Sequence, residues 1–265
     1  MTAVDFMSIM VELLNLLKGS RFEGHVFAVG GSVRDLVMQS EIKDIDLVVD
    51  LPNGGIDLAL YLDGLGCLTH KPVTYPTYGT CMFTLNKFPD VELEAVHTRG
   101  EQYHDKNSRN PETFFAGIDA DSVRRDLTIN ALYYDVFNAN FADPTGKGMD
   151  DIRNRVIRTS NTDPNIVFDD DPLRILRVVR FSAKYGWGIE RKTMKAMKRH
   201  ADRLSIISRE RITQELVNML KTKHPSYAMG VITDLGLWKV VTGTDLPKDK
   251  GRKISIALGE CAIND

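Results

Sequence analysis

The first half of the chain alternates short apolar segments with turns. Runs of β-branched and aromatic residues predict strands at 25–29, 42–49, 81–85 and 91–96. Apolar residues at helical spacing predict helices at 1–18, 33–38 and 57–65. This order of elements predicts an α/β unit over about 20–137, built on a small mixed or antiparallel sheet.

The second half changes to a helical period. The period begins beyond Asp121, is interrupted by the Pro and Gly residues of 143–148, and continues as helix after helix from Pro172 to the end. Between the two halves, the polar stretch 98–117 predicts a long mobile loop. The fold class predicted for the whole chain is therefore α+β, with an all-helical second part.

Composition excludes several classes of protein. The chain is 43% hydrophobic and 26% charged, as in ordinary soluble globular proteins, and no apolar run approaches the ~20 residues of a membrane span. Its start has no basic segment of the kind that opens a signal peptide. Cys67, Cys81 and Cys261 are far apart and odd in number. They predict neither disulfides nor a metal site, but a reducing, cytoplasmic location.

The charge is unevenly distributed along the chain. A net charge of −2 argues against nucleic acid, yet twelve Lys or Arg stand against three acids between Arg174 and Arg211. Acidic residues dominate the N-terminal half. A basic helical segment behind an acidic half suits a polyanion such as RNA, while an ordinary solvated helix face explains the charge equally well.

The strongest chemical signal joins a glycine turn to two carboxylates. Gly30 and Gly31 follow the first predicted strand, and their amides can approach phosphate oxygens without interference from a Cβ atom. Asp44 and Asp46 are two residues apart and share one face of the next strand. Carboxylates beside a phosphate cradle predict metal-assisted nucleotidyl transfer. Two neighbours add donors to the cradle, the Ser32 hydroxyl and the Arg34 guanidinium.

Three further groups of polar residues have chemical potential. Glu92 and Glu94 share one strand face, so either can supply a third carboxylate. Asp126 and Asn130 are four apart and would share one face of a helix, or Asp126 would simply cap that helix. The third group recurs every three residues along one predicted helix and is either a base-reading edge or an exposed ladder of ion pairs: Asp171, Arg174, Arg177 and Arg180.

Four segments occur in the order typical of one enzyme family. They are 30–35 with 44–46, 124–131 (RRDLTINA), 170–181 (DDPLRILRVVRF) and 210–216 (ERITQEL). On these motifs the chain resembles the class II tRNA nucleotidyltransferases and bacterial poly(A) polymerases, which are DNA polymerase beta-like nucleotidyltransferases. The resemblance implies a nucleotidyltransferase head followed by a helical neck and body.

The resemblance also implies residue roles. Asp44 and Asp46 would hold two Mg²⁺ ions, and Glu94 is favoured as the third catalytic carboxylate because it stands five residues before Arg99. The ribose would be selected by Asp126 and Asn130. Asp171 and Arg174 would read the incoming C or A. The remaining nucleotide-binding residues would be Gly30, Gly31, Ser32, Arg34, Arg124, Arg125, Arg177 and Arg180.

One residue departs from the pattern, and one pair has a structural interpretation. The family usually has Glu at the position of Asp170, which is one methylene shorter. Arg211 and Glu215 are spaced as an i, i+4 pair and are expected to support the base-reading helix.

The predicted organisation is a head over 1–140, a neck over 141–220 and a shortened body over 221–265. The predicted function is template-independent addition of C and A to the 3′ end of tRNA, with ATP and CTP as substrates. A poly(A) polymerase and an enzyme adding only A or only CC are alternatives, and so is a catalytically silent RNA- or nucleotide-binding protein. The predicted partner is a tRNA or another RNA 3′ end. No membrane association and no obligate protein partner are predicted.

Overall fold

The computed structural model describes residues 1–102 and 112–261, with side chains described as far as Gly259. The described chain forms two compact units. The first unit comprises Met1–Gln102 and Glu112–Ile152, and the second contains the described residues from Arg153 onward. The division into head, neck and body at 140/141 and 220/221 stays a prediction.

The first unit contains a seven-stranded sheet with helices. In chain order its elements are α1 (Ala3–Leu17), β1 (Val26–Val29), α2 (Gly31–Val37), β2 (Ile45–Val49), α3 (Gly54–Gly64), β3 (Val73–Tyr75), β4 (Thr80–Thr84), β5 (Glu92–His97), β6 (Arg99–Gln102), β7 (Glu112–Phe115), α4 (Ile118–Val123), β8 (Tyr133–Asp135) and β9 (Asn140–Ala142). Helix α5 (Gly148–Asn154) then carries the chain into the second unit. The strand order is β3-β4-β5-β2-β1-β8-β9.

The sheet is mixed, as predicted. Strands β2 and β5 are parallel, while the other neighbouring pairs are antiparallel. The parallel pair is joined through α3, β3 and β4, because a parallel connection has to cross back over the sheet. The two strands that carry the predicted carboxylates therefore lie side by side at the centre of the sheet.

One face of the sheet packs on the main core. Helix α1 starts at a capping box between Thr2 and Asp5. Its apolar side is buried against the sheet together with alternate residues of β2, including Ile45, Leu47 and Val49. The opposite face has only a small core of four buried residues, Phe27, Val29, Val48 and Tyr133. This face also carries Asp46 and Glu94, both exposed.

The predicted mobile loop over 98–117 is wrong in part. Strands β6 and β7 form an antiparallel pair, in which Arg99 lies opposite Phe115. The rest of that prediction, residues 103–111, lies outside the described residues. Of the three cysteines, Cys67 and Cys81 carry free thiols, and the side chain of Cys261 lies outside the described part.

The second unit is helical apart from one small sheet. Its elements are β10 (Val156–Ile157), α6 (Pro164–Asp170), α7 (Leu173–Tyr185), β11 (Gly188–Ile189), α8 (Arg191–His200), α9 (Arg209–Leu220), α10 (Pro225–Leu235), α11 (Trp238–Thr242) and α12 (Lys248–Cys261). Strands β10 and β11 pair in parallel, so the prediction of helices alone after Pro172 is wrong at Gly188–Ile189. No helix within the described ranges is long and apolar enough to cross a membrane.

Candidate active site

The glycine turn connects β1 to α2 in a conformation that requires glycine. Gly30 has φ +77°, in the left-handed region that side chains with a Cβ avoid. An added Cβ there would lie 3.6 Å from Nη1 of Arg125 and 3.9 Å from Oδ2 of Asp46. The turn is therefore flanked by a guanidinium and by one of the predicted metal ligands. Its backbone opens helix α2, whose first amides point away from the helix, as an anion site needs.

The predicted carboxylates come together at the centre of the sheet. Asp46 of β2 lies directly opposite Glu94 in the parallel register, and Asp44 immediately precedes β2. Burial by surrounding protein atoms raises the pKa of Asp46 although solvent reaches its side chain. The charge of Arg125 opposes that shift, and the charge of Asp44 adds to it. Burial also raises the pKa of Glu94, with a further contribution from the charge of Asp46. The register places Glu94, rather than Glu92, across from Asp46.

This donor set suits Mg²⁺ in the presence of a nucleotide. Among the described residues, no group of three or more His, Cys, Asp or Glu side chains is arranged to hold a metal ion unaided. Mg²⁺ usually keeps several waters and binds through one or two carboxylates plus substrate phosphates. The charge of Asp44 contributes to the raised pKa of Asp46, and a cation beside the two carboxylates would relieve that repulsion. The glycine turn is close enough to Asp46 to supply a place for phosphates.

Ser32 and Arg34 are buried behind the turn. The Ser32 hydroxyl donates to the Val29 carbonyl at 3.2 Å. The Arg34 guanidinium is bidentate on the Asp35 carboxylate, at 2.8 and 2.9 Å, and it also donates to Asn130 Oδ1 at 2.5 Å. These contacts brace the turn. The phosphate-binding role implied for both residues stays a prediction.

A buried carboxylate that the sequence analysis did not select organises the motif around Arg124 and Arg125. Asp121 has no exposed surface. One of its oxygens accepts from Arg124 at 2.5 Å, and the other accepts from Arg125 at 2.8 Å and from the Tyr133 hydroxyl at 2.6 Å. Burial opposes ionisation of Asp121, but Arg125 and Arg124 outweigh it and hold the pKa of Asp121 well below its usual range. The i, i+3 and i, i+4 spacing to the two arginines is the sequence signal that could have revealed it.

Asp126 and Asn130 meet without forming a helix face. The prediction of one α-helix through both is wrong, because Asp126 precedes a short 3-10 turn over Thr128–Asn130. The Asn130 amide still donates to Asp126 Oδ1 at 2.9 Å, and the same oxygen accepts from the Leu127 N–H. Both side chains are almost fully buried, and Asn130 links them to Arg34.

Asp171 lies before the predicted base-reading helix, not on it. It caps the end of α6, and its Oδ1 accepts from the Leu173 N–H at the start of α7. The prediction of one continuous helix from Asp171 to Arg180 is therefore wrong at its first residue. Arg174, Arg177 and Arg180 lie within α7, and every third residue from Asp171 to Arg180 is part-exposed while the residues between are buried.

The predicted i, i+4 pair of α9 is also wrong in detail. Glu215 accepts from Arg180 of α7 at 2.7 Å, and Arg211 lies 3.3 Å from the Asp171 carboxylate. Each side chain therefore contacts the segment 171–180 of the predicted base-reading group. The expected support of that segment by Arg211 and Glu215 is confirmed, by contacts between elements rather than along one helix. The guanidinium carbons of Arg177 and Arg180 lie 5.8 and 4.6 Å from the centroid of the Phe181 ring.

Two family models match the chain. Residues 26–158 match the poly A polymerase head domain, and residues 186–242 match the "Probable RNA and SrmB- binding site of polymerase A". The first match covers the glycine turn, the carboxylates and the Asp121 cluster. The second covers β11, α8, α9, α10 and α11 of the second unit.

Named relatives agree with the family models. The chain is 33% identical over 240 residues to a tRNA nucleotidyltransferase of Schizosaccharomyces pombe, covering 84% of this chain and 46% of that protein. It is 32% identical to a CCA-adding enzyme of Lactobacillus helveticus, covering 91% and 55%. The fold resembles a Bacillus stearothermophilus CCA-adding enzyme solved in complex with CTP, with a TM-score of 0.76, 25% identity and coverage of 93% and 56%.

The chain spans about half the length of these relatives. By its match over residues 26–158, the chain belongs to the family of nucleotidyltransferases that carry the poly A polymerase head domain.

Proposed function

We propose that this protein adds C and A to the 3′ end of tRNA without a template, using CTP and ATP and releasing pyrophosphate. The single observation that carries the reaction type is the pairing of Asp46 with Glu94 across parallel strands, beside the turn at Gly30. The choice of tRNA is supported by the names of the relatives, a tRNA nucleotidyltransferase and CCA-adding enzymes.

The chain's own residues divide the work of the reaction. The Gly30 N–H donates to the Leu132 carbonyl at 3.1 Å, which fixes the turn, so the Gly31 amide at the start of α2 binds the triphosphate. Arg125, fixed by Asp121, faces the triphosphate as a cation. The RNA 3′ oxygen forms a bond to the α-phosphorus of the nucleotide. At the same time the bond from that phosphorus to the oxygen bridging the β-phosphate breaks, and pyrophosphate leaves. Mg²⁺ held by Asp44 and Asp46 would promote deprotonation of the 3′-hydroxyl and neutralise the leaving pyrophosphate.

Ribose and base would be selected by separate groups. The Asp126–Asn130 pair is buried and held rigid by Arg34, so it can present a fixed hydrogen-bonding edge to a ribose hydroxyl. In the second unit, Asp171 offers acceptors and Arg174 offers donors to a base edge. Capping of α7 and the contact with Arg211 orient the Asp171 carboxylate for that role.

Incorporation by an active-site variant tests the proposal. With tRNA lacking its terminal CCA and radiolabelled CTP or ATP, the wild-type protein should add three nucleotides and stop. Asp46→Asn removes a charged ligand and should lower incorporation by about a thousandfold, a loss typical of removing one key electrostatic group. Asp245→Asn changes an exposed carboxylate of the second unit and should leave incorporation unchanged. Full activity of Asp46→Asn would refute the metal role.

A poly(A) polymerase is the second candidate, because the matched head domain is described by that activity. The same assay separates the two functions. A long ladder of added A in the presence of ATP alone would favour poly(A) synthesis. Termination after the third nucleotide would favour CCA addition.

A further inference from the structure

A row of side chains crosses the sheet from the catalytic carboxylates to its edge. In register, Asp46 of β2 lies opposite Glu94 of β5, Glu94 opposite Met82 of β4, and Met82 opposite Val73 of β3. Side chains paired across strands project from the same face of a sheet. Neighbouring strands are about 4.8 Å apart, so the row extends about 14 Å from Asp46 to the edge strand.

The far end of this row is apolar and exposed. Val73 is 48% exposed, and Tyr75, two residues later and therefore on the same face, is 43% exposed. Met82 beside them is part-exposed, whereas Cys81 and Phe83 on the other face of β4 are fully buried. We call Val73, Tyr75 and Met82 the aromatic shelf. Its side chains contribute nothing to the main core, which lies on the opposite face.

We propose that the aromatic shelf binds the last bases of the RNA whose 3′-hydroxyl reacts at Asp46. This inference rests on the proposed function. The reacting hydroxyl has to reach the carboxylates, so the nucleotides before it must lie on a surface that continues from them. Single-stranded RNA ends are commonly held by stacking of bases on aromatic side chains, which tolerate any base. Tyr75 offers such a ring within a few nucleotides of Asp46.

The order of the strands separates the shelf from the nucleotide triphosphate. The glycine turn follows β1, which borders β2 on one side, while β5, β4 and β3 extend from β2 on the other. Asp46 lies between the two. The triphosphate at Gly30 and the RNA end at Tyr75 therefore approach the carboxylates from opposite sides, as two substrates that react with each other must.

One guanidinium lies beside the turn that follows the shelf. Arg99 donates to the carbonyl of Tyr78 at 3.5 Å, in the turn that follows Tyr75. Its buried Nε has no hydrogen-bond partner among the described residues and lies 3.8 Å from the Glu101 carboxylate. A guanidinium next to exposed aromatic rings suits a phosphodiester followed by stacked bases. Tyr78 is itself 69% exposed and adds a second ring to this edge.

Substitution of Tyr75 in the full chain tests the shelf by binding. The probe is tRNA lacking CCA with 2-aminopurine as its 3′-terminal base, mixed with protein without metal or nucleotide. Wild type should quench the fluorescence of the probe, because stacking on the tyrosine ring does so. Tyr75→Ala should weaken binding about tenfold and lose the quenching, while Tyr75→Phe should keep both.

The matched control is Phe141→Ala. Phe141 is also 43% exposed and lies on the edge strand β9 at the other end of the sheet. It is paired through Tyr134 and Ala28 with Leu47, so it projects from the opposite face. Its loss should leave affinity and quenching unchanged. Equal effects of Tyr75→Ala and Phe141→Ala would overturn the proposal, and so would tight binding by Tyr75→Ala.

Kinetics distinguish failure of the shelf from failure of the proposed function. If wild type incorporates CTP, Tyr75→Ala should raise the KM for tRNA about tenfold with little change in the KM for CTP. A rise in the KM for CTP instead would assign Tyr75 to the nucleotide and overturn the shelf. If wild type incorporates nothing, the proposed function fails, and the fluorescence experiment still decides the shelf. Absence of probe binding by wild type would overturn it, leaving edge strand β3 to a protein partner.

Discussion

Asp121 determines the conformation of two arginines at once, although it touches no substrate in the proposed mechanism. Both of its oxygens are used, and its side chain has no exposed surface. Removing one charge of a buried ion pair leaves the other charge buried without a partner. Asp121→Asn should therefore lower the free energy of unfolding at pH 7 by about 3 kcal/mol or more. Denaturant titration of both proteins measures this difference.

The same variant has a predictable pH dependence. Because the pKa of Asp121 in the folded protein lies below its ordinary 3.8, ionised Asp121 stabilises the fold above that value. This contribution is lost as the pH falls from about 4 toward the lower folded pKa. The difference in the free energy of unfolding between wild type and Asp121→Asn should be constant from pH 7 to 5 and should decrease below pH 4. A gap that narrows between pH 7 and 5 would point to another group.

Arg174 provides a residue-scale test of base choice. If its guanidinium donates to the base edge, Arg174→Ala should reduce the preference for C and A over the other nucleotides as well as slow the reaction. We expect discrimination to fall by about tenfold or more, the value of one lost bidentate contact. Competition among the four labelled nucleotides measures it, with Arg191→Ala of the exposed face of α8 as control. A slower enzyme with unchanged preference would remove base reading from Arg174.

Among elements, α9 stabilises α7 through two ion pairs of unequal burial. The pair between Arg180 and Glu215 is largely buried, while the Arg211 side chain of the second pair is 39% exposed. Glu215→Gln should destabilise the protein by about 2 kcal/mol, and Arg211→Ala by less than about 1 kcal/mol. Urea unfolding of both variants checks that Glu215→Gln loses more stability than Arg211→Ala. Similar losses would mean that burial does not set the strength of these pairs.

The elements differ in how far the sequence predicts them. Strands β2 and β5 are predicted well because alternation along one segment is a local pattern. The strand predicted over 42–49 begins only at Ile45, so Asp44 precedes it and the shared face of Asp44 and Asp46 stays a prediction. Pairing of β6 with β7 depends on residues far apart in a polar stretch, so no local signal reveals it. Spacing alone suggested a helix from Asp126 to Asn130. Buried contacts with Arg34 and the Leu127 amide hold that segment in a turn instead.

The candidate site was predictable to a similar degree. Its motifs are short and local, which is why Gly30, Asp46 and Glu94 could be selected before the fold was known. The partners that hold the motifs are distant in sequence. Neither the reach of Glu215 to Arg180 nor the link from Arg34 to Asn130 follows from spacing, because both depend on packing of separate elements.

For the whole molecule, ligand linkage gives a test that needs no RNA. Carboxylates that repel one another without a cation should gain stability when Mg²⁺ and CTP bind together. At a hundredfold excess over Kd, a ligand specific to the folded state adds about 2.7 kcal/mol. The thermal midpoint should rise by several degrees with both ligands and little with Mg²⁺ alone. Asp46→Asn should lose that rise. An unmoved wild-type midpoint at millimolar CTP and Mg²⁺ would favour the alternative of a catalytically silent RNA- or nucleotide-binding protein.

The position of β1 within the sheet also sets an order of assembly. On one side β1 pairs with β2, which follows it closely, but on the other side Phe27 pairs with Asp135, more than a hundred residues later. Contacts between distant residues form slowly, because the intervening chain must first be ordered. During synthesis on the ribosome, the edge of β1 that pairs with β8 should therefore stay unpaired until β8 emerges. A chain interrupted between these strands would expose its central strand as a site for aggregation.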